Sequence, residues 1–118
     1  MTIVIDLSFQ ERRDLALNPN TPPETLTILA RDKNSSVLWR VAQNLNTPPE
    51  TLTILARDED SGVLWRVANN TNTPPETLTI LARDEHYYVR YWVERNPNAT
   101  REVVQTVRAY EFYKEHSN

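Results

Sequence analysis

The stretch TPPETLTILARD fills residues 21–32, and the same twelve letters return at 47–58 and at 73–84 without a change. Thr21, Thr47 and Thr73 therefore stand 26 residues apart. The likeness runs past the phrase. VLWRVA lies at 37–42 and 63–68 and becomes VRYWVE at 89–94, while asparagines keep the same period at 18, 44, 70 and 96 and at 20, 46, 72 and 98. A fixed period in this range marks a solenoid, whose units bury their apolar faces only against neighbours.

Each unit reads as two short helices. The first begins at TPPE, with Thr21 as N-cap, Pro22 at N1 and Glu24 at N3 completing a capping box. Leu26, Leu29 and Ala30 then share one face, and the helix is expected to end near Asp32. The second helix follows a polar hinge: KNSS, EDSG, then EHYY. Asn34 and Asp60 are good N-caps and His86 a poorer one. Val37 and Val41 point one way, and at ~100° per residue Trp39 falls on roughly the opposite side. Asn44 is expected to close this helix in the left-handed conformation. The one glycine, Gly62, is assigned to a hinge.

The ends read as modified copies. Ser8 to Leu17 resembles a second-type helix with Ser8 and Glu11 as a capping box, and a longer charged helix from about residue 100 caps the other end. TIVID at 2–6 reads as an extended arm. The expected organisation is one domain, 1–118: an arm and half repeat (1–20), repeats at 21–46, 47–72 and 73–98, and a capping helix (99–118). No segment beyond TIVID alternates in a strand pattern, so an all-α fold of about eight helical segments is expected.

The motifs LARD, then V-L/R-x-x-V-A, then N-x-N-TPPE-x-L resemble the leucine-rich repeat variant family over about Ser8 to Val107. The resemblance implies a right-handed superhelix of short paired helices, described for the family as alternating α and 3₁₀ segments. The 3.6-residue spacing here suits α for both. The iron–sulfur cluster of some members has no counterpart in a chain without cysteine. The family's arginine is kept at Arg90, but Leu38 and Leu64 stand in its place in the other repeats. The resemblance implies no catalytic residues.

Composition narrows the function classes. A net charge of −3 gives no basic field for nucleic acid or anionic membrane. The absence of cysteine excludes disulfides and thiolate metal sites and fits a reducing compartment. No apolar run approaches the ~20 residues of a membrane helix. MTIVIDLSF has neither the basic region nor the apolar length of a signal peptide, so a cytoplasmic protein is expected. His86 and His116 lack metal-ligand spacing, and one glycine builds no phosphate loop. Neither enzyme chemistry nor a cofactor is expected.

Two aromatic features remain. Trp39, Trp65 and Tyr91 share a repeat position and are expected to form a ladder along one face, with Arg40 and Arg66 interleaving as cation–π partners. Trp, Tyr and Arg dominate interface hot spots, which favours a protein-binding stripe. The plainer alternative is that the rings pack on arginine stems and cover the seams between repeats. The second feature is His86, Tyr87, Tyr88, Tyr91 and Trp92, where the third repeat departs from the other two. It is either adaptation to the cap or a partner patch. The expected function is a non-enzymatic interaction scaffold for a protein partner. The alternatives are a small-ligand or enzyme site at Tyr87–Trp92, and weak single-stranded nucleic-acid binding by stacking.

Overall fold

The computed structural model describes residues 6–117, so the expected arm at 2–6 lies, except for Asp6, outside the described residues. Eight helices and no strand occur among them: α1 (Phe9–Leu17), α2 (Pro23–Leu29), α3 (Ser35–Gln43), α4 (Pro49–Leu55), α5 (Ser61–Asn69), α6 (Pro75–Leu81), α7 (Tyr87–Arg95) and α8 (Arg101–His116). Both helices of every repeat are α. None is long and apolar enough to cross a membrane.

The helices form two rows. In one, α3 packs between α1 and α5, and α7 packs between α5 and α8. In the other, α2, α4 and α6 each lie against the helices that flank them in sequence. The core runs along the seam between the rows. Val37, Val41, Val63, Val67, Val89 and Val93 are fully buried from one side, and Leu26, Leu52 and Leu78 from the other. Full burial contributes roughly 1.5–3 kcal/mol per such side chain. Stacking gives an elongated body of 53 × 26 × 16 Å.

The capping signals of the second-type helices act locally. Ser8 and Glu11 close a capping box, Asn34 accepts from the Ser36 N–H, and Asp60 accepts from those of Gly62 and Val63. His86 makes no side-chain cap. In the hinges, Asp32, Asp58 and Asp84 accept the N–H of residues 34, 60 and 86 at 2.8–2.9 Å.

The first-type helices depart from expectation. Their N-caps are Pro22, Pro48 and Pro74, with no side-chain cap, and Glu24 stands at N2. Thr21, Thr47 and Thr73 lie one residue before the cap and are buried. Their hydroxyls donate at 2.6 Å to the carbonyls of Leu15, Val41 and Val67. Those carbonyls belong to the last turn of the preceding helix, where each also accepts the N–H of the C-cap asparagine at 3.1–3.3 Å and has a second lone pair free for the threonine. Each threonine therefore satisfies the helix behind it. The helices end at Leu29, Leu55 and Leu81, about a turn before the aspartates.

The asparagines bond backbone between successive turns of the repeat, as asparagines in turns do, but not through a left-handed backbone. Asn44, Asn70 and Asn96 are C-caps in extended backbone (φ −69 to −74°), and no described residue has positive φ. Their amide groups instead donate across the seam: Asn44 to the Ala16 and Asn18 carbonyls, Asn70 to Ala42 and Asn44, and Asn96 to Ala68 and Asn70, all at 2.7–3.1 Å. Asn46, Asn72 and Asn98 form a second column of amide-to-carbonyl bonds to the preceding repeat. Threonine hydroxyls add a third tie between first-type helices, Thr27 to Thr51 at 2.9 Å and Thr53 to Thr77 at 2.7 Å. A small polar phrase is repeated without change because each copy must match the backbone of the next.

Candidate binding face

The rings of the second-type helices stack in a zigzag between two repeat columns. Trp39, Trp65 and Tyr91 form one column, and Arg40, Arg66 and Trp92 form the other. The Arg66 guanidinium lies 5.1 Å from the Trp39 ring and 4.3 Å from the Trp65 ring, so it is held between them. Trp65 then stacks on Trp92 at 6.2 Å and 29°, and Trp92 meets Tyr91 edge-on at 5.0 Å. Tyr91 leads to Tyr87 at 5.9 Å, and Tyr87 to Tyr88 at 6.0 Å. The expected ladder therefore exists in altered form: Arg66 and Trp92 separate the members of the Trp39–Trp65–Tyr91 column.

Of the nine residues singled out from sequence, seven join this stack; Arg40 does not, and neither does His86, whose ring lies 3.0 Å from Asp84 Oδ1. Arg40 donates to the Ser36 carbonyl at 2.9 Å and lies over no ring. Tyr87 and Tyr88 stand 58% and 68% exposed, so the cluster at Tyr87–Trp92 ends in a ridge. Trp39, Trp65 and Trp92 are half-buried and pack against the core cluster, so these rings do cover seams between repeats while keeping an outer edge in solvent.

Asp60 and Arg95 complete the face. The Trp39 indole donates to Asp60 Oδ1 at 3.2 Å. Burial pushes the Asp60 carboxyl up, but hydrogen bonds from Trp39, the Gly62 N–H, Ser35 and the Val63 N–H outweigh it and hold the group below the usual carboxylate range. Gly62 belongs to α5 and not to a hinge, and glycine is required there because a Cβ would lie 2.8 Å from both Asp60 Oδ1 and Trp39 Nε1. The glycine is the space into which Trp39 folds. In the next repeat His86 replaces Asp60 and Tyr88 replaces Gly62, and Trp65 turns onto Trp92. Arg95, four residues after Tyr91, lies 3.5 Å from its ring centroid. That i,i+4 spacing is visible in the sequence; the Trp39–Asp60 bond needs the stacking of repeats.

Between the helix ends lie two hollows. One, of about 190 Å³, is lined by Leu17, Pro19, Arg40, Gln43, Asn44 and Leu45. The other, of about 100 Å³, is lined by Gln43, Leu45, Trp65, Arg66, Asn69 and Asn70. Burial and the nearby Arg40 charge lower the Arg66 pKa, while Asp60 opposes them. No protein-family model, curated protein or solved structure matches this chain.

Proposed function

We propose that the chain is a non-enzymatic protein-binding module that recognises its partner through the ring-and-arginine face of α3, α5 and α7. The observation that carries this reading is the continuous stack from Trp39 to Tyr88, which ends in two tyrosines more than half exposed. Large aromatic and arginine side chains held on a rigid frame lose little freedom on binding and supply most of the energy at interfaces. The repeat is further read as one of the leucine-rich repeat variant type, winding right-handed, in a cytoplasmic protein.

The test uses the exposed end of the stack. Trp39 and Trp65 support the core, so their removal confounds binding with folding. The double variant Tyr87→Ala/Tyr88→Ala should unfold within about 0.5 kcal/mol of the parent per site, the usual range for exposed positions. Partners captured by the immobilised parent chain should be lost from this variant. A folded variant that captures the same proteins equally well ends the reading.

A further inference from the structure

The two hollows are one site repeated. Adding 26 to Leu17, Pro19, Arg40, Gln43 and Asn44 gives Gln43, Leu45, Arg66, Asn69 and Asn70, which line the second. Each hollow thus holds one arginine, and exposed leucines stand beside them, Leu17 at 56% and Leu45 at 65%. The arginines are held alike: each donates Nη1 to the carbonyl four residues back, Arg40 to Ser36 at 2.9 Å and Arg66 to Gly62 at 2.8 Å.

Among the described residues, neither arginine has a carboxylate at ion-pair distance. The ion pairs among the described residues join Arg12 to Asp32, Arg90 to Glu111 and Arg108 to Glu94. Helices α3 and α5 contain no acidic residue. Asp60, whose charge acts on Arg66, already accepts from Trp39 and two backbone N–H groups. The Arg66 Nε is buried and has no partner. The Arg40 charge also disfavours the charged form of Arg66, a repulsion that an anion between them relieves. The face is therefore cationic where it is hollow and aromatic where it is ridged, in a chain whose net charge is −3.

The spacing selects a conformation. Packed helices lie roughly 8–10 Å apart, which sets the separation of repeat-equivalent arginines. In a β-strand, side chains on one face recur every ~6.6 Å, which is too short. In polyproline II, every third residue returns to the same side after about 9.3 Å. Such segments dock on aromatic-lined grooves, and here Trp92 stands where tryptophan replaces arginine, with the rings of Tyr91 and then Tyr87 next to it along α7.

Building on the protein-binding reading above, we propose that this face takes an acidic, proline-rich peptide segment in the polyproline II conformation. Carboxylates three residues apart meet Arg40 and Arg66, and prolines lie on Trp92, Tyr91 and Tyr87.

All three tryptophans of the chain lie in the stack, so their emission reports the site without a label. The full chain is titrated with Ac-PPEPPEPPEPPE-NH2. A saturable emission change is expected, with a Kd that rises with salt. Arg66→Gln should weaken binding by about tenfold or more, the scale of a lost charge-assisted contact. Arg40→Gln, whose guanidinium touches no ring, should weaken it severalfold with an unchanged thermal transition, which separates loss of contact from loss of fold. Three probes oppose the proposal: the neutral Ac-PPQPPQPPQPPQ-NH2, an acidic amphipathic helical peptide and oligothymidylate. Equal binding of the neutral peptide, or tighter binding of the helix or the oligonucleotide, overturns it. Absence of binding by the acidic peptide also overturns it. If Tyr87→Ala/Tyr88→Ala still abolishes partner capture in that case, the binding face stands and only the class of partner is wrong.

Discussion

Thr47 and Asp60 show how a single side chain is assigned its role. A threonine before two prolines reads as an N-cap, yet Thr47 is fully buried and donates its hydroxyl backward to Val41 at 2.6 Å. The two roles predict opposite outcomes for one substitution. Aspartate is among the best N-caps, but at this position it would set a buried carboxylate against a carbonyl. Thr47→Asp should therefore cost about 3 kcal/mol or more, Thr47→Val about 0.5–1.5 kcal/mol for one lost bond, since the Val41 carbonyl keeps the Asn44 N–H, and Thr47→Ser least of the three. Urea unfolding ranks them, and a stable Thr47→Asp would restore the capping role. Asp60 carries a pH dependence. Its pKa is lower in the folded chain than when unfolded, so its stabilising contribution is present above the ordinary carboxylate range. It fades as pH falls through the depressed folded value. In Asp60→Asn the thermal midpoint should fall less steeply in acid than in the parent; parallel profiles would show that the carboxylate is not held this way.

At the scale of the helix, the position shared by residues 12, 38, 64 and 90 divides inner from terminal copies. Inner helices carry Leu38 and Leu64, both buried against neighbours on either side. The terminal ones carry arginine. Arg12 pairs with Asp32 at 2.6 Å and donates to the Leu7 carbonyl at 2.8 Å. Arg90, only 4% exposed, pairs with Glu111 of α8 at 2.5 Å, donates to the Asp84 carbonyl at 2.6 Å and lies 4.9 Å from the Tyr110 ring. An arginine stem covers apolar surface while its head reaches groups that a regular next repeat would not offer. Arg90 thus fastens the capping helix. Glu111→Ala should cost about 1–3 kcal/mol, more than a surface ion pair, because it strands a buried guanidinium. Amide exchange should speed up first in α8. Uniform acceleration along the whole chain would assign Arg90 to the core and not to the cap.

Across the whole molecule, the two asparagine columns make each repeat depend on its neighbour. Asn70 donates to Ala42 and Asn44 of the repeat before, and accepts from Asn96 of the repeat after through its own carbonyl. Removing its side chain in Asn70→Ala deletes these two buried bonds and the one its Oδ1 accepts from the Asn72 N–H, at roughly 1 kcal/mol each. Because nearest-neighbour interfaces carry the stability of a repeat protein, the loss should lower one shared unfolding transition by about 3 kcal/mol. Calorimetry that splits into two transitions would show the repeats to be uncoupled at this seam.

The period, the eight helices, the caps at Ser8, Asn34 and Asp60 and the buried valine and leucine faces were legible in the sequence. Each depends on residues within one or two helical turns of one another, and 3.6-residue spacing records such relations directly. The backward bond of Thr47, the cross-seam asparagines, the fold of Trp39 over Gly62 and the order of the ring stack were decided by tertiary structure. The Thr47 bond turns back six residues across a helix boundary, and the other partners lie about one repeat away, 21–28 residues along the chain, so a repeated letter does not say which neighbour it touches. Trp39, Trp65 and Tyr91 share a column, but the register between helices brings residue i to i+27, so Arg66 and Trp92 fill the gaps. That offset follows from how the helices pack, and it is what turns a column of rings into a face with hollows between them.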